Sequence, residues 1–247
     1  MKTTAVDIAF ILDAFREQVE QLLEQWRFQS QDDPEQDPVQ LANSMHELCH
    51  VLQRLESGPG GFQDEPSVPG QEIEALGNYG LDLLVELSEL ASDMGMQDCS
   101  LELEGLCLPM AAWIARHGGE IQRLPPVVNT LARYANQTTD PNHMRELYNQ
   151  TTEVFEAVSP HVIESNPNDP SHPWRLLVIN RAIVATRTLE PVLMEPALKA
   201  VVEFLPEDAP RFFEEGLQQM DKIGYPEQVR EVMRRYHALF DTVRTLH

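Results

Sequence analysis

The sequence predicts an all-α protein of antiparallel helical hairpins, packed as an irregular α-solenoid or a multi-helix bundle. Three observations lead there. Apolar residues recur at steps of three and four through most of the 247 residues, no region sustains the two-residue alternation of a half-buried strand, and the polar gaps carry the punctuation of helix ends.

The first helix is drawn by Ile8, Ile11, Leu12, Phe15, Val19, Leu22, Leu23 and Trp26, an apolar stripe that needs a covering surface. Asp7 and Asp13 interrupt what would have to be the apolar core of a signal peptide, so MKTTAVDIAFILDAF reads as a mature helix. No run in the chain approaches the roughly 18 apolar residues of a membrane span. The polar stretch QSQDDPEQDP at 29–38 leads to a second helix over 39–56, and SGPGGFQDEPSVPG at 57–70 breaks the chain again with glycine and proline.

From residue 71 onward helices are expected at 71–94, 100–117, 122–136, 142–164, 174–189, 192–204, 209–222 and 227–246. Gly118 and Gly119 end one of them. Asp140 and Pro141 open another with an N-cap and a first-turn proline, Asp208 and Pro210 repeat that device, and Gly224 with Pro226 makes the last corner. The segment RLLVINRAIVATRT at 175–188 is rich in β-branched residues, but an unbroken run of that length exceeds a usual strand and predicts a buried helix. The organisation is then an N-terminal amphipathic helix with a loosely tethered second helix over 1–70 and a helical-hairpin domain over 71–247, or one continuous domain.

Composition narrows the partners. Forty acidic residues against 18 basic ones give a net charge of −22, which repels phosphate backbones and anionic lipid heads, so nucleic acid and membrane surfaces are excluded as expected partners. Three cysteines (Cys49, Cys99, Cys107) without a C-x-x-C pair suit a reducing cytoplasm. Only residues 172–205 escape the acidity.

Within the second helix lies His46-Glu47-Leu48-Cys49-His50, an H-E-x-x-H match. Two histidines four apart share a helix face and can hold Zn²⁺ while the glutamate activates water, which gives the alternative reading of a zinc-dependent hydrolase with His46 and His50 as ligands and Glu47 as base. Three features oppose it. No third ligand is evident beyond scattered acids such as Glu65, Glu72, Glu74, Glu89 and Asp93; no sheet is present to hold a substrate; and flexible linkers flank the helix on both sides. Leu41, Met45, Leu48, Leu52 and Leu55 form that helix's core stripe, and the two imidazoles point away from it. A solvated face with no cofactor is the preferred reading.

In the last hairpin Leu217, Met220, Gly224, Val229, Met233 and Tyr236 follow at steps of 3, 4, 5, 4 and 3. The pattern resembles the tetratricopeptide repeat, best over 209–240, although Val229 and Tyr236 stand where that family has small residues and the hairpin starts are unevenly spaced. The resemblance implies a concave surface on which Asn and Arg side chains grip a partner. Asn180 and Arg187, seven apart on one helix face, are the candidate partner-binding residues. The competing assignment, which is the preferred one for these two residues, pairs Arg187 with Glu190 or Glu195 and lets Asn180 satisfy a neighbouring loop. No nucleophile elbow, phosphate loop or Cys-His pairing is visible. The expected function is therefore a non-enzymatic adaptor or regulatory module binding a protein or peptide, with a structural homo-oligomer subunit as a further alternative.

Overall fold

The computed structural model describes residues 7–29, 37–57, 70–165 and 169–244. The described residues form twelve helices: α1 (Ile8–Gln29), α2 (Pro38–Ser57), α3 (Gly70–Asp93), α4 (Gln97–Gly105), α5 (Cys107–Arg116), α6 (Leu124–Gln137), α7 (Pro141–Glu156), α8 (Pro160–Glu164), α9 (Pro173–Arg187), α10 (Pro191–Phe204), α11 (Ala209–Ile223) and α12 (Glu227–Arg244). No strand occurs among them, and the fold is all-α. None of these helices is long and apolar enough to cross a membrane. Two compact units are formed, one from residues 1–130 with 153–165, the other from 131–152 with 166–247.

Two expected helices are each divided, for the same steric reason. A continuous helix over 100–117 would drive the Pro109 ring into the carbonyl of Gly105, four residues back. The chain instead turns at Leu106, which places Pro109 in the first turn of α5. Likewise Pro160 forces Ser159 into extended backbone (ψ 135°), so α7 stops at Glu156 and α8 starts afresh. The residues between them are used: Val158 forms a parallel bridge with Ile121, closed by hydrogen bonds from Ile121 N to Ala157 O (2.8 Å) and from Ser159 N to Ile121 O (3.0 Å).

The first unit is organised around α5, in which every residue from Cys107 to Ile114 is buried. Helix α3 comes close to it because Gly77 presents no side chain, and a Cβ there would lie 2.3 Å from Ile114 Cγ1. Most of the α1 stripe is buried as its pattern requires: Ile8, Ile11, Leu12, Phe15, Val19 and Leu22 are covered, while Leu23 and Trp26 are half-buried, with α2, α4 and α5 packed against the helix. Each such aliphatic side chain contributes about 1.5–3 kcal/mol on burial. Asn78 of α3 ties down the loop after α5. Its amide donates to Glu74 O and Glu120 O (both 2.8 Å), and its oxygen accepts from Gln122 N (2.8 Å) and Arg123 N (3.3 Å).

In the second unit α9 pairs with α10, α11 with α12, and α10 also meets α12. The α9–α10 corner passes through Leu189 in the left-handed region (φ 61°), and the α11–α12 corner through Gly224 (φ 79°), whose N–H returns to Met220 O at 2.9 Å. Segment 175–188 is helical throughout its length to Arg187 and buries Leu177, Val178, Ala182, Val184 and Ala185, as the sequence predicts. The same helix also buries Arg181, which donates to Thr152 Oγ1 (3.1 Å) and the Tyr148 hydroxyl (3.2 Å) and lies over the Tyr148 ring.

Candidate functional site

Of the H-E-x-x-H residues, Glu47 and His50 lie on the outer side of α2, whereas His46, expected to point away from the core, packs against the buried Phe15. His46 is half-buried with its ring edge against Phe15 (5.2 Å between centroids), and its Nδ1–H donates to Ala42 O at 2.9 Å, while Glu47 and His50 are exposed. Among the described residues no three His, Cys, Asp or Glu side chains come together as a metal-binding group. Glu74 accepts from the Gln122 amide at 2.5 Å, Glu72, Glu89 and Asp93 are exposed, and Glu65 lies outside the described residues. A hydrolytic zinc needs three protein donors and an open position, and this donor set offers two imidazoles. The three thiols are free and buried, and burial pushes the pKa of each upward, that of Cys49 to about 12, so none is a poised nucleophile.

The second unit holds a groove of about 1140 Å³. One wall is α9, contributing Ile179, Ile183, Thr186 and Arg187; the opposite wall is α11, with Phe212, Glu215, Gly216, Met220 and Ile223; the α6–α7 corner and Tyr225 complete it. Gly216 carries no side chain, which lets the Met233 methyl of α12 reach within 3.1 Å of where a Cβ would stand. The walls run in the same direction. At their beginnings Arg175 of α9 pairs with Asp208 at the start of α11 (Nη2 to Oδ1 2.5 Å), and at their ends Arg187 and Tyr225 face the same space.

Leu176, Asn180, Ile183 and Arg187 recur at steps of four, three and four along one side of α9, with Leu176 and Ile183 exposed. Arg187 lines the groove, whereas Asn180 is half-buried and is not among the lining residues. The acids expected to neutralise Arg187 are engaged elsewhere. Glu190 binds Arg145 at 2.6 Å, and Glu195 binds Arg235 and accepts from the Tyr236 hydroxyl at 2.9 Å. Arg187 instead donates from Nη1 to Ala135 O and from Nη2 to Thr138 O (2.6 Å), closing the C-terminal end of α6 where orphan carbonyls and the negative end of the helix dipole attract a cation. Burial pushes the Tyr225 phenol above its ordinary pKa, and the Arg187 charge opposes that rise.

Of the two residues singled out in the sequence, Arg187 lines the groove and Asn180 does not, and the α11 wall was not singled out as a binding surface. The signal was present: Met220, Gly224 and Met233 belong to the stepped pattern of the last hairpin, and all three line the groove. Comparison with protein-family models, with characterised proteins and with solved structures finds no match to this chain.

Proposed function

We propose that this chain is a non-enzymatic binding module that takes a segment of another polypeptide into the α9–α11 groove, in an adaptor or regulatory role. The observation that carries this reading is the groove itself. At about 1140 Å³ it has room for several side chains of a guest, and its floor offers thioether and branched aliphatic side chains that re-pack around varied apolar guests. Parallel first helices of successive hairpins lining one recess are what a tetratricopeptide-like arrangement would provide, which is consistent with the resemblance noted over 209–240. The apolar stripe of α1 is already covered by α2, α4 and α5 of the same chain, which favours a different protein over a second copy as the partner. Free, buried thiols suit a reducing compartment such as the cytoplasm.

The test is selection of random peptides on the full-length protein, repeated with Ile183→Glu and Ile223→Glu. Both positions are exposed, at 39% and 68%, so both variants are expected to melt with the wild type. Enriched peptides that lose at least tenfold in affinity for each variant support the groove. Peptides that bind all three proteins alike would place the contact elsewhere.

A further inference from the structure

The groove has unequal ends. Before its beginning, at the starts of α9 and α11 and outside the lining, Arg175 and Asp208 neutralise one another. At its far end stands Arg187, the only cation among the lining residues, and the only lining carboxylate, Glu215, is held by Arg211 at 2.7 Å. No carboxylate among the described residues comes within ion-pair distance of Arg187, in a chain with more than two acids for each basic residue. Its two terminal nitrogens each spend one N–H on a neutral carbonyl. A guanidinium has five N–H donors, so three remain, and Tyr225 lines the same end of the groove, its phenol near enough to feel the Arg187 charge.

Resting on the peptide-binding reading above, we infer that the polypeptide held in this groove carries an Asp or Glu side chain that docks on Arg187 and Tyr225, with apolar residues on one side of it running along Ile179, Ile183, Met220 and Ile223. Eight residues of helix separate Ile179 from Arg187, about 12 Å at 1.5 Å per residue, which fixes the distance between the apolar end of the guest and its acid. Charge complementarity selects the acid. A cationic guest residue at this end would meet the Arg187 charge, whereas a carboxylate meets charge-assisted donors in a half-buried setting. The closed pair at the other end gives no such preference, so the asymmetry also sets the direction in which the guest lies.

The experiment uses the full chain and peptides recovered by random selection, resynthesised with amidated C-termini so that the side chain is the only acid under test. Enriched sequences are expected to share an acidic residue with apolar neighbours on one side. Replacing that Glu by Gln should weaken binding at least tenfold in the wild type, by fluorescence anisotropy, and the Glu-to-Gln ratio should shrink towards one in Arg187→Gln. Because Arg187 also closes α6, Tyr225→Phe provides a second reading that removes only a hydroxyl, with a several-fold reduction of the same ratio. Equal affinity of Glu and Gln peptides overturns the assignment, as does discrimination that persists in both variants. A Gln peptide that regains full affinity when its C-terminus is left free would move the source to a terminal carboxylate and equally overturn it. Failure to enrich any peptide overturns the groove reading itself, which separates the two conclusions.

Discussion

Trp113 and Glu56 are joined by a hydrogen bond of 2.5 Å from the indole Nε1–H to the carboxylate Oε1, which fixes the last turn of α2 against the buried centre of α5. Trp113 is fully buried, so its N–H has no access to water if that acceptor is lost. Glu56→Leu is expected to destabilise the protein by about 1–3 kcal/mol in chemical denaturation, and Glu56→Gln, which keeps an acceptor oxygen, by markedly less. Equal losses for the two variants would count against the bond.

Asn78 is satisfied at all four of its hydrogen-bonding positions. Asn78→Asp keeps the shape and removes both donors, turning a carboxylate towards the carbonyls of Glu74 and Glu120. The expected loss is about 2–4 kcal/mol, together with faster amide exchange at Gln122 and Arg123. A variant with unchanged exchange at those two amides would refute the role of this side chain as the anchor of the loop.

At Gly77 an added methyl meets Ile114 Cγ1 at 2.3 Å and Cδ1 at 2.7 Å. Helix propensity alone would make Gly77→Ala favourable by nearly 1 kcal/mol, but overpacking at this contact is expected to win and give a net loss of about 1–3 kcal/mol. Adding Ile114→Ala, which removes both clashing carbons, should make the double variant more stable than the sum of the single changes. Simple additivity would mean the two helices are not in the stated contact.

Burial holds Cys49 protonated up to about 12, against an ordinary value of 9.0, and raises Cys99 and Cys107 as well. As the pH climbs past 9, the unfolded chain gives up these protons while the folded chain keeps them. Stability therefore falls with rising pH over that window, by about 1.4 kcal/mol per pH unit for each thiol concerned. Cys49→Ala should flatten the alkaline limb measured by denaturant titration at pH 8, 9 and 10. An unchanged slope would show that Cys49 is not shielded in the folded state.

The helical class was legible because each amphipathic stripe has the period of the element that buries it, as α1 does from Ile8 to Leu22. Helix ends marked by Gly118, Pro141 and Gly224 were legible for the same local reason. The breaks at Leu106 and Val158 depend on where a proline ring lands relative to a carbonyl four residues earlier, a constraint the apolar period does not carry. Of the candidate site, Arg187 stood out through its charge. Its engagement with the end of α6 could not be read, since Ala135 and Thr138 contribute only main-chain oxygens and leave no trace in side-chain pattern. The α11 wall was hidden because Met220 and Met233 are apolar at core spacing, and residues lining a recess look like residues lining a core until the facing helix is known to stand back.

The order in which the chain visits its two bodies has a practical outcome for dissection. Residues 131–152 belong with 166–247, while 153–165 belong with 1–130. No single cleavage can then release either body intact: a fragment ending at 165 would drag along the α6–α7 corner stripped of the helix whose arginine holds it, and one starting at 166 would lack a side of the recess. Isolating the recess calls for a graft, with 131–152 spliced ahead of 169–244, and a simple truncation at either crossing is expected to unfold less cooperatively than the intact chain.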